Sequence, residues 1–177
     1  MILADGTIGQ MMEPVLLETS EPLKVEKPWA LTGTNNARKH NVVTSLYLQP
    51  EALERTNYAR YARYAEIEAK EQRFESYRME DAEICLVAYG IAARVSRNAV
   101  DAARERGIRA GLIRPITLWP FPKQAMQTAA KQVKAFLSVE LSMEQMIEGI
   151  ELSIRCSTPV PLINRVGCLV PSPEQVL

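Results

Sequence analysis

Residues 114–122 read Arg114-Pro-Ile-Thr-Leu-Trp-Pro-Phe-Pro122, with three prolines and two aromatic residues in nine positions. A proline lacks the N–H donor and pushes the preceding residue towards extended geometry, so this stretch is stiff. The pattern predicts a rigid crossing from a strand into a helix, with Pro122 in the first helical turn. Arg114, Trp119 and Phe121 also have the composition of a binding hot spot. Both interpretations are compatible, because a stiff loop presents anchors well.

Strands and helices alternate on both sides of this crossing. The predicted strand over residues 83–89 is apolar from Ile84 onward and ends at Gly90, and the following helix carries alanine and valine on one face up to Gly107. The alternation continues with strands over residues 108–114, 135–140 and 160–163 and with helices over residues 123–131 and 143–154. Short connections between such elements predict an α/β fold, a mainly parallel sheet with helices on both faces.

The first 80 residues are less regular. Residues 1–4 predict a buried strand, and the apolar spacing after Asp5 predicts a short helix that Asp5 caps and Pro14 ends. Residues 51–79 lack glycine and proline and predict a long, largely solvated helix. We therefore divide the chain into a strand-and-helix remnant of an α/β domain (1–17), an extended linker with a long helix (18–80) and a compact domain (81–177).

Composition excludes several classes of function. Lys+Arg and Asp+Glu both count 21, so no excess charge attracts the chain to nucleic acid or to an anionic membrane. No apolar run is long enough to span a membrane, and the start lacks the pattern of a secretion signal, so we expect a cytoplasmic location. The three cysteines are scattered and odd in number, which disfavours a disulfide framework or a cysteine-ligated cluster.

Catalytic motifs are lacking in the sequence. Gly90 lies between a strand and a helix, where a phosphate-binding turn would lie, but neither glycine-rich nucleotide motif surrounds it. Glu140 ends a strand at the sheet edge where α/β sites gather, and Ser142 with Gln145 predicts a helix capping box. The single histidine, His40, lies in the linker and excludes a Ser/His/Asp set. We assign no catalytic, cofactor-binding or metal-binding residue.

Several stretches carry a family resemblance: Leu3-Ala-Asp-Gly-Thr-Ile-Gly-Gln-Met-Met-Glu-Pro14, Lys27-Pro-Trp-Ala-Leu-Thr-Gly33, Ser45-Leu-Tyr-Leu48, Glu80-Asp-Ala-Glu83, residues 114–122 and Pro171-Ser-Pro-Glu174. Together they resemble the C-terminal half of the α subunit of 2-oxoacid:ferredoxin oxidoreductases, in particular the branched-chain type that acts on 2-oxoisovalerate. In this resemblance, residues 1–17 are similar to the end of the thiamine-pyrimidine domain. Residues 81–177 are similar to the C-terminal domain of transketolase.

The resemblance implies a reaction and a set of partners. The complete complex would decarboxylate a 2-oxo acid oxidatively to an acyl-CoA, using thiamine diphosphate and iron–sulfur clusters. In the family these groups are held earlier in the pyrimidine domain, on the β subunit or on a ferredoxin-like subunit, so none is expected on this chain alone. The implied partners are the β subunit, the ferredoxin-like subunit and ferredoxin as electron acceptor; a homo-oligomer is left open. The isolated chain is expected to be inactive and to serve structure and assembly.

Three positions depart from the family pattern. Ser142 stands for an asparagine, Glu144 for a glycine and Cys168 for the second residue of a Gly-Gly pair. Glycine at such turns permits positive φ or close backbone approach. The candidate interface residues are Asp5, Gln10, Arg114, Trp119, Phe121, Glu140 and Gln145.

Two other functions stay open from the residues alone. One is a free-standing nucleotide- or coenzyme A-binding module that uses Gly90 and the carboxyl edge of the sheet. The other is an interaction adaptor built on the long helix, whose alternating tyrosine and arginine over residues 58–64 also suggest RNA binding. Comparable numbers of acidic residues in that helix argue against RNA.

Overall fold

The computed structural model describes residues 1–17, 21 and 24–177. They form two compact units, Met1–Met11 together with Tyr64–Leu177, and Met12–Arg63. The helices are α1 (Gly6–Gly9), α2 (Pro50–Lys70), α3 (Gly90–Glu105), α4 (Lys123–Ala129), α5 (Gln145–Ile154) and α6 (Pro173–Val176). The strands are β1 (Phe74–Tyr77), β2 (Ile84–Val87), β3 (Ala110–Pro115), β4 (Ala135–Glu140) and β5 (Leu162–Asn164).

The five strands form one sheet in the order β1-β3-β2-β4-β5. The pairs β2–β3, β2–β4 and β4–β5 are parallel, and only β1 runs antiparallel, along β3. Parallel strands need crossovers that cover both faces of a sheet. The predicted α/β fold, a mainly parallel sheet with helices, is confirmed.

Alternate residues of the strands feed two hydrophobic cores, because successive side chains of a strand point to opposite faces. Leu86 and Ala88 pack with buried residues of α3 and with Val176 of α6. Cys85 and Val87 pack instead with α4 and α5 through Met126 and other buried apolar side chains. Helices α3 and α6 thus lie on one face, and α4 and α5 lie on the other.

The predicted boundaries within this unit are close to those observed. Strand β4 has the predicted limits, and α4 begins at Lys123 with Pro122 as its N-cap, one position outside the predicted first turn. Strand β5 begins at Leu162, two residues later than the predicted start at residue 160. The short helix α6 was not predicted, and Ser172 and Gln175 form a capping box at its start.

The predicted long helix was wrong at its end. Helix α2 stops at Lys70, and β1 follows over residues that we had assigned to the helix. Along β1, Phe74 and Ser76 are exposed while Glu75 and Tyr77 are half-buried, the two-residue alternation of an edge strand. Pairing with β3 overrides the helical propensity of this segment, since Glu75 lies opposite Arg114.

The predicted strand over residues 1–4 was also wrong. Within the described residues, this segment pairs with no strand, and Met1, Ile2 and Leu3 are largely exposed. A strand requires a neighbour for its backbone hydrogen bonds. Helix α1 is a single turn, and the predicted cap is confirmed, because the Asp5 carboxylate accepts the Ile8 N–H at 2.7 Å.

The unit Met12–Arg63 contains little regular structure before α2. Asn41 donates its side-chain N–H groups to the Pro28 and Ala30 carbonyls at 2.6 and 3.1 Å, which closes a loop over this part of the linker. Residues 18–20 and 22–23 of the predicted linker lie outside the described residues. No residue of α2 is buried, as the thin apolar stripe predicted. Among the described helices, none is long and apolar enough to cross a membrane.

Gly111 in β3 permits a close approach of the turn after β1. A Cβ atom at this position would lie 2.6 Å from the Met79 sulfur and 2.7 Å from the Arg78 carbonyl oxygen. Arg104 of α3 donates to that same Arg78 carbonyl at 2.7 Å and forms an ion pair with Asp81. The turn over residues 78–82 is thus held against the sheet where β3 lacks a side chain.

Candidate functional site

Glu140 is a buried carboxylate at the carboxyl end of β4, with 1% of its surface exposed. Its Oε1 accepts the Ser138 hydroxyl at 2.8 Å and the Ile147 N–H at 2.9 Å. Its Oε2 accepts the Ser142 hydroxyl at 2.7 Å and the Met146 N–H at 3.0 Å. Each carboxylate oxygen therefore accepts two hydrogen bonds, which offset the cost of burying a charge.

The Glu140 carboxylate caps helix α5. It binds the backbone N–H groups of Met146 and Ile147, which have no partner inside the helix. A negative charge at this end is also favoured by the helix dipole. The predicted capping box of Ser142 and Gln145 was wrong, because the Ser142 hydroxyl donates to Glu140 and the N-cap residue is Glu144.

Glu144 makes no side-chain cap bond and has φ +68°, and Cys168 also has φ +68°. Both residues stand where the family pattern has glycine. Only glycine adopts this left-handed region without steric cost. The backbone turns are thus retained in this chain although the glycines are lost.

Glu140 is poorly suited to acid–base chemistry or to holding a cofactor, since all four of its acceptor positions are occupied by protein donors. The surrounding residues accordingly do not fit a thiamine diphosphate site built on this carboxylate. What the arrangement does is fix the loop over residues 141–144, where Asn164 of β5 donates to the Ser142 carbonyl at 3.1 Å.

The stiff stretch leaves β3 with Arg114 and Trp119 on the surface. Arg114 donates to Glu75 at 3.0 Å, and Glu75 also forms an ion pair with Arg97 at 2.6 Å. Trp119 keeps 55% of its surface exposed and meets Tyr64 of α2 edge-to-face, with ring centroids 5.5 Å apart. The expectation of a rigid strand-to-helix crossing is met, and Trp119 is not a core residue.

Phe121 and Glu140 both contact helix α5. The Phe121 ring lies 3.7 Å from the position that a Cβ on Gly149 would take, so the ring packs on the helix where it has no side chain. Phe121 is half-buried and also borders the core that contains Met146 and Ile150. Two of the candidate interface residues are therefore connected through one helix.

Asp5 lies at the start of α3. A Cβ on Gly90 would be 3.3 Å from Asp5 Oδ2 and 3.7 Å from Ile8 Cδ1, and Gly90 has φ +57°. The space where a phosphate-binding turn would receive its ligand is thus lined by a carboxylate and a methyl group. Gln10 follows α1 as its exposed C-cap residue, and Gln145 is exposed in the first turn of α5.

The cysteines are separated in environment. Cys85 is buried in the sheet, and burial raises the pKa of its thiol to about 12. Cys156 and Cys168 are exposed. Among residues 1–17, 21 and 24–177, no group of three His, Cys, Asp or Glu side chains could hold a metal ion.

Sequence reasoning missed the residues that complete these sites. Ser138 donates to Glu140 from two positions earlier in the same strand, a spacing that places both side chains on one face. Glu75 lies in β1, where the sequence pattern predicts a helix, and the contact of Tyr64 with Trp119 joins residues 55 positions apart in the sequence. The period-two pattern Phe-Glu-Ser-Tyr was the available signal for that strand.

Comparisons with known proteins agree with this fold. The chain is 45% identical over 167 residues to ketoisovalerate oxidoreductase subunit VorB of Methanothermobacter marburgensis, covering 94% of this chain and 47% of that protein. It is 35% identical over 98 residues to 2-oxoglutarate synthase subunit KorA of Methanothermobacter thermautotrophicus, covering 55% of this chain and 26% of that one. The chain thus spans about half the length of the VorB relative.

Solved structures share the fold at low identity. The 2-oxoglutarate:ferredoxin oxidoreductase from Magnetococcus marinus, with 2-oxoglutarate, coenzyme A and succinyl-CoA bound, matches with a TM-score of 0.60 and 19% identity, covering 73% of this chain and 23% of that one. A split-gene transketolase in an inactive β4 tetramer matches with a TM-score of 0.51 and 16% identity, covering 59% of this chain and 38% of that one. The predicted likeness to transketolase is confirmed at the level of fold.

The family model for pyruvate:ferredoxin oxidoreductase core domain II matches residues 82–176. This range contains β2 to β5 and α3 to α6, the parallel sheet with its helices on both faces. The match covers more than half of the chain. The chain therefore belongs to the family of the pyruvate:ferredoxin oxidoreductase core domain II.

Proposed function

We propose that this chain is the C-terminal half of the α subunit of a thiamine-diphosphate-dependent 2-oxoacid:ferredoxin oxidoreductase that acts on 2-oxoisovalerate. The observation that carries the proposal is the 45% identity to a ketoisovalerate oxidoreductase subunit over 94% of the chain. That identity extends through the linker and the long helix, beyond the range of the family model. It therefore favours the branched-chain type over family members that match only about half of the chain.

The role of this half is structural. Its most buried carboxylate, Glu140, is occupied by four protein donors and shapes a helix start. The groups that hold thiamine diphosphate and the iron–sulfur clusters would lie in the preceding pyrimidine domain and in the β and ferredoxin-like subunits. Thiamine diphosphate supplies the carbanion chemistry of decarboxylation when bound there. Ferredoxin would accept the electrons, and coenzyme A would accept the acyl group.

The candidate interface consists of two surfaces of the domain. One surface is the exposed part of Trp119 with Arg114, and the other is the edge fixed by Glu140, where Gln145 is exposed. Half-exposed aromatic and arginine side chains on a stiff loop are typical anchors of protein interfaces. Asp5 and Gln10 would belong to residues 1–17, the remnant of the pyrimidine domain. Residues 18–80 would form the linker and the long helix that connect this remnant to the domain.

A free-standing nucleotide- or coenzyme A-binding module is not favoured. Asp5 lies over Gly90, and a carboxylate at that position repels phosphate. The adaptor alternative rests on the exposed face of α2, where a shallow apolar groove of about 510 Å³ is lined by Pro50, Leu53, Glu54, Asn57, Tyr58 and Tyr61. Neither alternative accounts for the identity to a ketoisovalerate oxidoreductase subunit.

Reconstitution tests the proposal. The chain is expected to have no activity with 2-oxoisovalerate, coenzyme A and an electron acceptor when assayed alone. Activity is expected when the chain is co-expressed with the preceding half of the α subunit and with the β and ferredoxin-like subunits. Turnover by the isolated chain, or micromolar binding of ADP or coenzyme A to it in calorimetry, would contradict the proposal.

A further inference from the structure

The loop over residues 116–120 is bonded to the connection between α2 and β1. The Arg73 carbonyl accepts the N–H groups of Ile116 and Thr117 at 2.9 and 3.1 Å. The Arg73 N–H in turn donates to the Thr117 hydroxyl at 3.0 Å. These bonds prolong the pairing of β1 with β3 beyond Phe74 and Pro115, the last pair of the ladder.

The Thr117 side chain closes this arrangement on both sides. Its oxygen accepts from Arg73 while its hydroxyl donates to the Pro120 carbonyl at 2.8 Å. The loop therefore holds its own shape and the connection to α2 through the same side chain. The aromatic pair of Trp119 and Tyr64 adds a contact about two helical turns further back along α2.

The last part of α2 is stabilised by a side-chain bond at its end and lies largely at the surface. Gln72 donates its side-chain amide to the Glu68 carbonyl at 2.7 Å, which satisfies one of the free carbonyls at the helix end. No residue of this helix is buried, and the edge strand that follows is only four residues long. Most helical stability in proteins comes from packing rather than from propensity, and the ring of Trp119 supplies one such packing contact through Tyr64.

We propose that residues 116–120 act as a latch that holds the last two turns of α2, Tyr64–Lys70, to the sheet of the domain. The latch has two parts, the backbone bonding of Arg73 to Thr117 and the ring contact of Tyr64 with Trp119. Removing either part releases these two turns while the sheet stays folded. Trp119 thus has an intramolecular role on one edge of its ring and leaves the other part of its surface exposed.

Hydrogen exchange of the full 177-residue chain tests the latch. Trp119→Ala removes the ring contact, and Thr117→Val removes the hydroxyl with little change of shape. In each variant the amides of residues 64–72 are expected to exchange roughly threefold to tenfold faster, the range that an aromatic pair or a hydrogen bond contributes. The amides of β2, β3 and β4 are expected to keep their rates. Tyr64→Ala in the Trp119→Ala background is expected to add little, because the pair is already broken.

Leu152→Ala is the matched control. Leu152 is an exposed apolar residue on α5, away from the loop, and its truncation should leave residues 64–72 unchanged. The proposal is overturned if either Trp119→Ala or Thr117→Val leaves exchange over residues 64–72 unchanged. It is also overturned if exchange rises equally throughout residues 82–177, since Trp119 would then stabilise the whole domain. None of these outcomes depends on assembly with other subunits, so failure here is distinct from failure of the proposed function.

Discussion

The Glu140 edge and the Trp119 loop are two regions of one domain that use polar and aromatic groups in opposite ways. Glu140 is a charge almost completely removed from solvent, with four donors around it. Trp119 is the largest side chain of its loop, yet 55% of its surface is exposed. In a domain without a visible catalytic set, the buried polar group serves the fold, and the exposed ring remains available for contacts.

The difference shows that an unusual residue can serve either the fold or a function. A buried carboxylate at the carboxyl end of a parallel strand suggests chemistry from its position. Its bonding partners instead make it a helix cap. A tryptophan next to prolines is compatible with a core position by composition, but the ring of Trp119 is 55% exposed and contacts Tyr64 at the surface. Position alone therefore does not distinguish fold from function here, whereas occupancy of the polar atoms and exposure of the ring do.

Glu140→Ala is expected to have the largest effect on stability. It leaves two hydroxyls and the N–H groups of Met146 and Ile147 without their acceptor, so the free energy of unfolding should fall by about 3 kcal/mol or more. Urea denaturation measures this change. Glu144→Ala is the control, because the Glu144 side chain makes no cap bond and should change stability by less than about 0.5 kcal/mol. Equal losses of unfolding free energy in the two variants would contradict the assignment of Glu140 as the residue that caps α5.

Trp119→Ala is expected to affect association more than stability. Because the ring is half exposed and its aromatic contact is with Tyr64 of α2, the global free energy of unfolding should fall by less than about 0.5 kcal/mol, against about 3–5 kcal/mol for an aromatic residue in a core. A melting curve gives the first quantity, and a pull-down with the β subunit gives the second. Leu118→Ala removes apolar surface from the same loop and serves as the control. A loss of about 3–5 kcal/mol would show that Trp119, like Glu140, mainly stabilises the fold.

Glu144→Gly should stabilise the Glu140 edge slightly. A glycine relieves the left-handed conformation of residue 144, so we expect a gain of about 0.5–1 kcal/mol in the free energy of unfolding. Glu148→Gly, within α5, should instead cost about 1 kcal/mol. Thermal melts of the two variants give the comparison. A loss of stability in both would mean that the Glu144 side chain contributes a contact that outweighs its strained backbone.

The smallest effect is expected at Asp81, a surface carboxylate that contrasts with Glu140. The hydrogen bond from Arg104 lowers the pKa of Asp81 below its ordinary value of 3.8. A carboxyl whose pKa is lower in the folded state stabilises the protein above the pKa of the unfolded state and loses that contribution as the pH falls through the folded pKa. The contribution is therefore present at pH 7 and lost below about pH 4.

Asp81→Asn tests this by removing the titrating group. Its denaturation midpoint should fall less between pH 7 and pH 3 than that of the parent chain, and salt should shrink the difference because the Asp81 carboxylate is exposed. Asp101→Asn provides a second exposed carboxylate for comparison, paired with Arg78. An unchanged pH dependence in Asp81→Asn would contradict the assignment.

The parallel part of the fold could be predicted because each element carries its own pattern. Residues 135–140 are mostly apolar and of strand length, and α3 repeats small apolar residues at helical spacing, so β4 and α3 needed no tertiary information. Strand β1 could not be predicted in this way. Its four residues follow a helix without a breaker, and the strand is defined by its pairing with β3, from Phe74 with Pro115 to Tyr77 with Leu112.

The candidate site was predictable in its location but less so in its bonding. The positions of Glu140 at a strand end and of Trp119 in a stiff loop follow from the sequence. The donors to Glu140 come partly from backbone N–H groups of α5, and no sequence pattern encodes them. The same limit explains the wrong capping box, because Ser142 fits the consensus of a cap while a stronger acceptor lies nearby.

The pairing of the edge strand β1 depends on the absence of a side chain at Gly111. The turn that returns the chain from β1 to β2 rests where a methyl group would collide with backbone and sulfur atoms. A larger side chain at this position would displace the turn from the sheet. Strand β1, which begins at Phe74 next to the latch, would be displaced with it. The hydrogen atom that glycine carries in place of a side chain thus decides whether β1 can stay paired at the edge of the sheet.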